Sequence, residues 1–150
     1  MLFFSYARGR ERSELSVWVS QRTIAGNRRV VDMELHENDK GKVWIDRKLF
    51  TFEFDVRQTV VYEDLILILL HIPTKPEYAH YIRNLYGFRQ GKQIWQVEDL
   101  NNQFPDRGHL PFVGIYIDND GVLGGTDFCG RRYAIDMETG AITKQLPSVK

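Results

Sequence analysis

The run Leu65-Ile66-Leu67-Ile68-Leu69-Leu70-His71-Ile72 decides the fold, because an extended backbone would place its apolar side chains on both faces. A continuous apolar run of this length is typical of a strand buried on both sides. It is far too short to cross a bilayer as a helix, which takes about 20 residues. Pro73 and Pro76 follow it and end it, since proline cannot donate to a sheet ladder. The run therefore predicts a strand at the centre of the sheet system.

Alternation of apolar and polar residues predicts further strands on both sides of this run. One upstream series predicts a single half-buried strand with an aromatic inner face, and its members are Phe50, Phe52, Phe54 and Val56. Residues 15–36 alternate around a turn at 24–27 and predict a hairpin, with a helix over 10–22 as the alternative. Downstream, strands are predicted at 84–97, 112–117, 122–128, 132–135 and 141–144, with a helical turn only at 77–84.

These elements predict a mostly β fold, an antiparallel hairpin meander that forms an open sandwich or partial barrel. We predict a single domain over 1–150, with an N-terminal hairpin extension at 1–42 and a repeat-containing β body at 43–145. A chain of 150 residues can bury roughly 68 to 70% of the surface that its unfolded form exposes. It therefore needs neither a disulfide nor a metal ion to fold.

Charge and cysteine content limit the compartment and the partners. Twenty Lys and Arg balance twenty Asp and Glu, which argues against a general nucleic-acid or anionic-membrane binder. Cys129 is alone, so no intramolecular disulfide forms, as expected in a reducing cytosol. Arg8, Arg10 and Arg12 follow the apolar start of the chain, the reverse of the order in an export signal. We therefore expect a cytoplasmic protein.

An internal repeat supports the hairpin interpretation. Residues 84–95 can be laid over 131–142 so that a tyrosine, a turn glycine and a following isoleucine coincide, if the second copy has two more residues before the glycine and one fewer after it. Each copy is then a strand with an inward aromatic side chain, a glycine able to take positive φ, and a return strand.

Locally, this repeat resembles the strand-turn-strand of pyrroloquinoline-quinone-type β-propeller repeats, and the segment from Asp136 to Gly140 matches their turn. Such propellers close a ring from several blades of about 40 to 45 residues. Two or three copies cannot close a ring. We therefore predict that the chain uses the same hairpins in an open arrangement.

A closer resemblance covers about residues 43–145 and rests on an ordered set of short motifs. These are Phe50-x-Phe52, the strand Leu65 to Leu70, Asn84-Leu85-Tyr86-Gly87, Gly91-Lys92-x-Ile94-Trp95-Gln96, Phe112-Val113-Gly114 and Gly130-Arg131-Arg132-Tyr133-Ala134-Ile135-Asp136. The order is similar to that of small uncharacterised bacterial proteins, some of them immunity partners of polymorphic or contact-dependent toxins. The resemblance implies a cytoplasmic protein that binds and blocks a toxin, with no catalytic residues to carry over. Residues 1–42 lie outside it, and the neutral chain departs from the acidic composition of many nuclease immunity proteins.

Surface recognition is the function class that the side chains favour. The two longest connections after the central strands are rich in Tyr, Arg and Phe, the residue types that anchor protein interfaces. The predicted partner-binding residues are Tyr78, Tyr81, Arg83, Phe104, Arg107 and His109.

Two other functions are alternatives. The first is a hydrolase or nuclease in which His71, His80 or His109 works with an acidic partner such as Asp118, Asp120 or Asp127. No spacing in the sequence enforces that cluster. The second is a module that binds a sugar or another small ligand through an exposed Trp18, Trp44 or Trp95, although Trp95 follows an apolar strand and is expected in the core.

The segment Asp118-Asn119-Asp120-Gly121 offers oxygen ligands but lacks the further donors of a calcium-binding loop. Asp and Asn tolerate the left-handed conformation, and Asp-Gly is a strong hairpin signal. We interpret this segment as a tight turn, interpret Asp136 as the cap of another, and expect no metal ion or cofactor.

Overall fold

The computed structural model describes residues 3–7, 15–22, 30–37, 41–108 and 110–147. These ranges contain thirteen strands, three short 3₁₀ helices and no α-helix. The strands are β1 (Phe3–Ala7), β2 (Leu15–Arg22), β3 (Val30–Glu37), β4 (Lys42–Ile45), β5 (Lys48–Thr51), β6 (Val56–Tyr62), β7 (Leu65–Leu70), β8 (Leu85–Arg89), β9 (Lys92–Gln96), β10 (Phe112–Ile117), β11 (Leu123–Asp127), β12 (Arg132–Ile135) and β13 (Ile142–Leu146). The 3₁₀ helices are Pro76–Tyr78, Leu100–Asn102 and Pro105–Arg107.

The strands form three antiparallel sheets. The central sheet has the order β1-β6-β7-β8-β9, the N-terminal sheet β2-β3-β4-β5 and the C-terminal sheet β10-β11-β12-β13. Each sheet keeps two edge strands in the described part of the chain, so none closes into a barrel. The predicted mostly β class and the open sandwich are confirmed.

Strand β7 occupies the middle of the central sheet, and all six of its residues are buried. Its odd-numbered residues lie in a first core, together with Leu123 and Tyr133 of the C-terminal sheet. Its even-numbered residues lie in a second core, together with Val43 and Ile45 of the N-terminal sheet. Because successive side chains of a strand point to opposite faces, one apolar run supplies two cores. The predicted central strand is confirmed, although it ends at Leu70.

The prediction of one strand through Phe50, Phe52, Phe54 and Val56 is wrong. Strand β5 ends at Thr51 and β6 begins at Val56, because the chain crosses here from the N-terminal to the central sheet. The crossing packs against Gly41, whose carbonyl accepts a hydrogen bond from the Phe52 amide at 2.7 Å. A Cβ at Gly41 would clash with carbonyl oxygens on both sides of this bend. The aromatic inner face is nevertheless real, since all three phenylalanines pack on the second core.

The predicted hairpin over 15–36 is confirmed as the antiparallel pair β2 and β3, and the helix alternative fails over Leu15–Arg22. Its predicted turn at 24–27 lies outside the described residues. Strand β3 pairs with β4, and β1 pairs with β6 as an edge of the central sheet. The predicted N-terminal extension therefore contributes strands to two sheets.

The two copies of the internal repeat form the hairpins β8–β9 and β12–β13. Both turn glycines adopt positive φ, 71° at Gly91 and 75° at Gly140, as predicted. The tyrosines differ, because Tyr133 is fully buried in the first core whereas Tyr86 is half-buried against the second. The repeat therefore predicts the turn conformations, but it does not predict which core the tyrosine packs against.

Candidate functional site

Tyr78 and Tyr81, two of the predicted partner-binding residues, lie side by side on the β7–β8 connection. Their ring centroids are 6.2 Å apart, and both pack edge-on against Phe54. The Tyr81 hydroxyl donates to Glu53 Oε1 at 3.2 Å. This hydrogen bond to a carboxylate raises the pKa of Tyr81. Arg83 donates from Nε to the Val97 carbonyl at 2.8 Å and shares a cavity of about 240 Å³ with Tyr81.

Phe104 and Arg107 form a second group beside the C-terminal sheet. The Arg107 guanidinium lies 5.5 Å from the centre of the Phe104 ring, and its Nη2 donates to Gln145 Oε1 at 2.7 Å. No ring contact or hydrogen bond among the described residues joins this pair to Tyr78, Tyr81 or Arg83. His109 lies outside the described residues. The five described members of the predicted set therefore form two groups, and their role in partner binding stays a prediction.

The histidines of the enzyme alternative have partners other than carboxylates. His71 Nδ1 lies 3.1 Å from Arg57 Nη1, and the His80 ring stacks at 4.2 Å on Tyr81. Both side chains are exposed. Among the described residues, no hydrogen bond or ion pair joins either imidazole ring to a carboxylate, so no acid–base pair is assembled around them.

Three aspartates at nine-residue intervals cap the hairpin turns of the C-terminal sheet. Oδ1 of Asp118, Asp127 and Asp136 accepts the amide hydrogen of the residue two positions later, at 2.8 to 2.9 Å. Asp127 is buried and also binds Arg131 Nε at 2.8 Å. The turn interpretations of 118–121 and 136–140 are confirmed. The described ranges hold no group of three His, Cys, Asp or Glu side chains placed to bind a metal ion.

The three tryptophans of the small-ligand alternative lie in different parts of the fold. Trp95 is buried, and its indole Nε1 donates to the Met137 carbonyl at 2.7 Å, which confirms its place in the core. Trp44 is 43% exposed and pairs across strands with Leu49, which is also exposed. Trp18 lies in β2. Trp44 does not line the 240 Å³ cavity beside Tyr81 or the groove described below.

A groove of about 640 Å³ is larger than the cavity beside Tyr81, and sequence reasoning missed most of it. It lies between the start of the β7–β8 connection, the segment leading into β10 and the turn after β11. We call it the bulge groove and define it by six of its lining residues, which are Arg57, His71, Lys75, Pro111, Val113 and Phe128. Tyr78 also lines it, so the groove adjoins the first predicted group.

Two β-bulges place side chains in this groove from two different sheets. In β6 the register passes from Val56 to Gln58 on consecutive residues of β7, which leaves Arg57 as the extra residue. In β10 the register skips Val113 in the same way. Bulges bend the strand and redirect a side chain, and they are frequent beside functional sites. Both extra residues line the groove.

Two amide side chains fix the sheets against each other next to the groove. Gln58 donates to the Ile115 carbonyl at 2.8 Å and accepts from the Ile115 amide at 2.9 Å. Asn84 makes the same double contact with Phe112, at 2.8 and 3.0 Å, and also donates to the Leu70 carbonyl. Strand β10 is thus tied to the central sheet on both sides of Val113.

The groove combines an apolar surface with positive charge. Phe128 is 71% exposed, and Pro111 and Val113 extend the apolar surface. Arg57 and Lys75 supply the charge, and among the described residues no carboxylate lines the groove. In the sequence Arg57 resembled any solvent-facing strand residue and Phe128 the end of a strand. Neither carried a signal that sequence reasoning could use.

Family membership follows from a match between residues 33–146 and the family model described as Domain of unknown function (DUF7957), which covers about three quarters of the chain. The chain belongs to this family. The DUF7957 region includes β4 to β13 and every residue of the bulge groove, and it leaves out β1 and β2. Neither the curated proteins nor the solved structures provide a significant match. In the described ranges, no helix of the DUF7957 protein has the length and apolar character of a membrane span.

Proposed function

We propose that this protein is a protein-binding module and, as its resemblance implies, an immunity protein that occludes a bacterial toxin domain in the cytoplasm. The observation that supports the proposal most is the bulge groove, a rigid apolar and cationic concavity with a protruding phenylalanine. Exposed aromatic and arginine side chains are the usual anchors of protein interfaces.

The surface available to a partner extends beyond the groove. Tyr78 lines the groove, its ring contacts Tyr81, and Tyr81 shares the neighbouring cavity with Arg83. Three of the six predicted residues therefore continue the groove along the β7–β8 connection. Such a continuous surface suits a macromolecule better than an isolated small ligand.

Preorganisation also favours binding. The amides of Gln58 and Asn84 hold β10 in place before a partner arrives. A partner then loses less free energy to ordering of this surface. Burial of the exposed Phe128 side chain would contribute about 1.5–3 kcal/mol.

Co-purification with the product of the adjacent gene tests the proposal. The tagged full-length chain should retain that product, and Phe128→Ala should weaken the complex by about tenfold or more. Leu49→Ala is the matched control, because Leu49 is an exposed apolar residue on the N-terminal sheet. It should leave binding unchanged. Failure to form a complex with any neighbour-encoded protein would overturn the proposal.

A further inference from the structure

Arg57 presents an unused hydrogen-bonding surface to the groove. It is the extra residue of the β6 bulge, it is exposed, and among the described residues its one hydrogen-bond partner is His71. A guanidinium has five N–H donors in a planar fork. The contact with His71 uses only one side of that fork.

His71 fixes the direction of this guanidinium. The His71 amide donates to the Asp55 carbonyl at 2.8 Å, which holds the residue against the start of β6. A guanidinium can only donate, so the 3.1 Å contact requires the acceptor lone pair on His71 Nδ1 and places the ring proton on Nε2. His71 is therefore a positioning residue for Arg57.

The charges around Arg57 favour an anion. Lys75 and His71 line the same groove, and no described carboxylate does. A planar guanidinium matches a carboxylate through two parallel hydrogen bonds. Extended polyanions need several cations along a track, and this chain has no net charge. A single carboxylate is thus the better complement.

The apolar part of the groove specifies what lies next to that carboxylate. Pro111, Val113 and the exposed Phe128 line the space beside Arg57. Pro73 and Pro76 line it as well, and none of these three prolines has an N–H to pair with an added strand. A partner would therefore dock through its side chains and not as an extra strand.

We propose that the bulge groove takes a partner segment in which an acidic side chain binds the Arg57 guanidinium while an adjacent apolar side chain packs against Pro111 and Phe128. This inference rests on the proposed protein-binding function and adds the chemistry of the bound segment.

Peptide binding to the full-length chain tests it directly. The probe is a fluorescein-labelled peptide with one glutamate followed by leucine and phenylalanine, and its match replaces the glutamate by glutamine. Fluorescence anisotropy should show saturable binding of the glutamate peptide and about tenfold to hundredfold weaker binding of the glutamine peptide, as expected for loss of a charged hydrogen bond.

Arg57→Gln should remove the preference for the glutamate peptide. Lys92→Gln is the matched control, since it also removes one positive charge but lies beside the β8–β9 turn. That turn is at the Leu65 end of β7, and the groove is at the Leu70 end. Lys92→Gln should keep the full preference. The inference is overturned if Arg57→Gln and Lys92→Gln prefer the glutamate peptide equally, or if the glutamate peptide shows no saturable binding.

The role of His71 has its own readout. His71→Gln keeps a side-chain acceptor for Arg57 and should preserve the ratio of the two peptide affinities, whereas His71→Leu should reduce it toward that of Arg57→Gln. If His71 only supported the fold, His71→Leu would lower the unfolding midpoint. A change in the affinity ratio at a constant unfolding midpoint therefore indicates a positioning role.

Two further outcomes separate this inference from the proposed function. If the co-purified complex survives Arg57→Gln but not Phe128→Ala, the protein-binding function stands and the carboxylate assignment fails. If a single-stranded oligonucleotide binds in place of the glutamate peptide and Arg57→Gln abolishes that binding, the groove recognises phosphate and the inference fails.

Discussion

The central sheet contacts its two neighbours by different means. Towards the C-terminal sheet, the first core is bordered by directional hydrogen bonds, including those of Gln58 and Asn84 to β10 and that of Trp95 to the Met137 carbonyl. Towards the N-terminal sheet, the described contacts are apolar: Val43 and Ile45 lie in the second core, and aromatic rings pack against it. Phe50 and Phe52 lie edge-on to Phe88 with centroids 4.7 and 6.1 Å away.

This difference explains where the groove lies. Hydrogen bonds require a donor–acceptor distance of about 2.7–3.2 Å and near-linear geometry, whereas aromatic pairs are favourable over ring-centroid distances of about 4.5–7 Å. The bulge groove needs Arg57 of β6 and Val113 of β10 at fixed positions, and it lies at the hydrogen-bonded interface. Among the described residues, Phe52 and Phe54 of the ring-packed interface line the smaller cavity beside Tyr81.

The largest expected effect tests whether both interfaces support the fold. Leu67 and Ile68 are adjacent in β7, fully buried, and face the first and the second core respectively. Each substitution to alanine should lower the free energy of unfolding by about 2–5 kcal/mol, through lost burial and the cavity left behind. Urea titrations measure both. A loss near zero for Ile68→Ala would mean that the N-terminal sheet adds little to stability.

The second prediction removes the hydrogen bonds that distinguish the first interface. Asn84→Leu keeps similar volume but leaves the buried amide and carbonyl of Phe112 without their side-chain partner. Each unsatisfied buried group costs about 1–3 kcal/mol, and burial of the apolar leucine side chain offsets part of the cost of two such groups, so a loss of about 2–3 kcal/mol is expected. Gln58→Leu is the graded control, because its contacts with Ile115 are only partly buried. We expect Gln58→Leu to lower the free energy of unfolding by less than Asn84→Leu. An equal or larger loss for Gln58→Leu would contradict this expectation.

The parts of the fold that could be predicted are those in which neighbouring residues determine the outcome. An uninterrupted apolar run such as β7 avoids water only when both of its faces are covered, so its central place followed from its composition. The hairpin turns followed from Asp and Gly, whose local hydrogen bonds and positive φ need no distant partner. The bend after Thr51 did not follow, because Phe52 and Phe54 keep the alternation through it.

The groove could not be predicted because it depends on strand register. A bulge exists only relative to a partner strand, and nothing in the sequence marks Arg57 or Val113 as the residue that the partner skips. Gln58 and Asn84 resemble surface residues until β10 lies against them. Tyr78 could be predicted as a binding residue, because a tyrosine in a loop suggests a protein interface by its residue type alone.

The third prediction concerns the ring-packed interface. Phe50→Leu keeps an apolar side chain but removes the edge-on contact with Phe88. A loss of about 1 kcal/mol in the free energy of unfolding is expected, the usual contribution of an aromatic pair. Peptide binding in the bulge groove should not change, because Phe50 packs on the other face of the central sheet. Loss of peptide binding would show that the two interfaces are coupled.

The smallest expected effect concerns a charged contact that links the central and C-terminal sheets at the β8–β9 end. Arg89 donates from Nη1 and Nη2 to the two carboxylate oxygens of Glu138, at 2.8 and 3.1 Å, and from Nε to Asp64. The hydrogen bonds from Arg89 lower the pKa of Glu138. A carboxyl group with a lowered folded-state pKa stabilises the fold above its unfolded-state pKa and loses that contribution as the pH falls through the folded value.

Acidification below the usual glutamate range should therefore destabilise the wild type more than Glu138→Gln, in urea titrations at neutral and acidic pH. The difference should be small and should shrink at high salt, because Glu138 is 68% exposed and water and ions screen the pair. Lys144→Gln, an exposed change in β13, should show the wild-type pH dependence. If Glu138→Gln also shows it, the charge of Glu138 contributes nothing measurable to the contact between these two sheets.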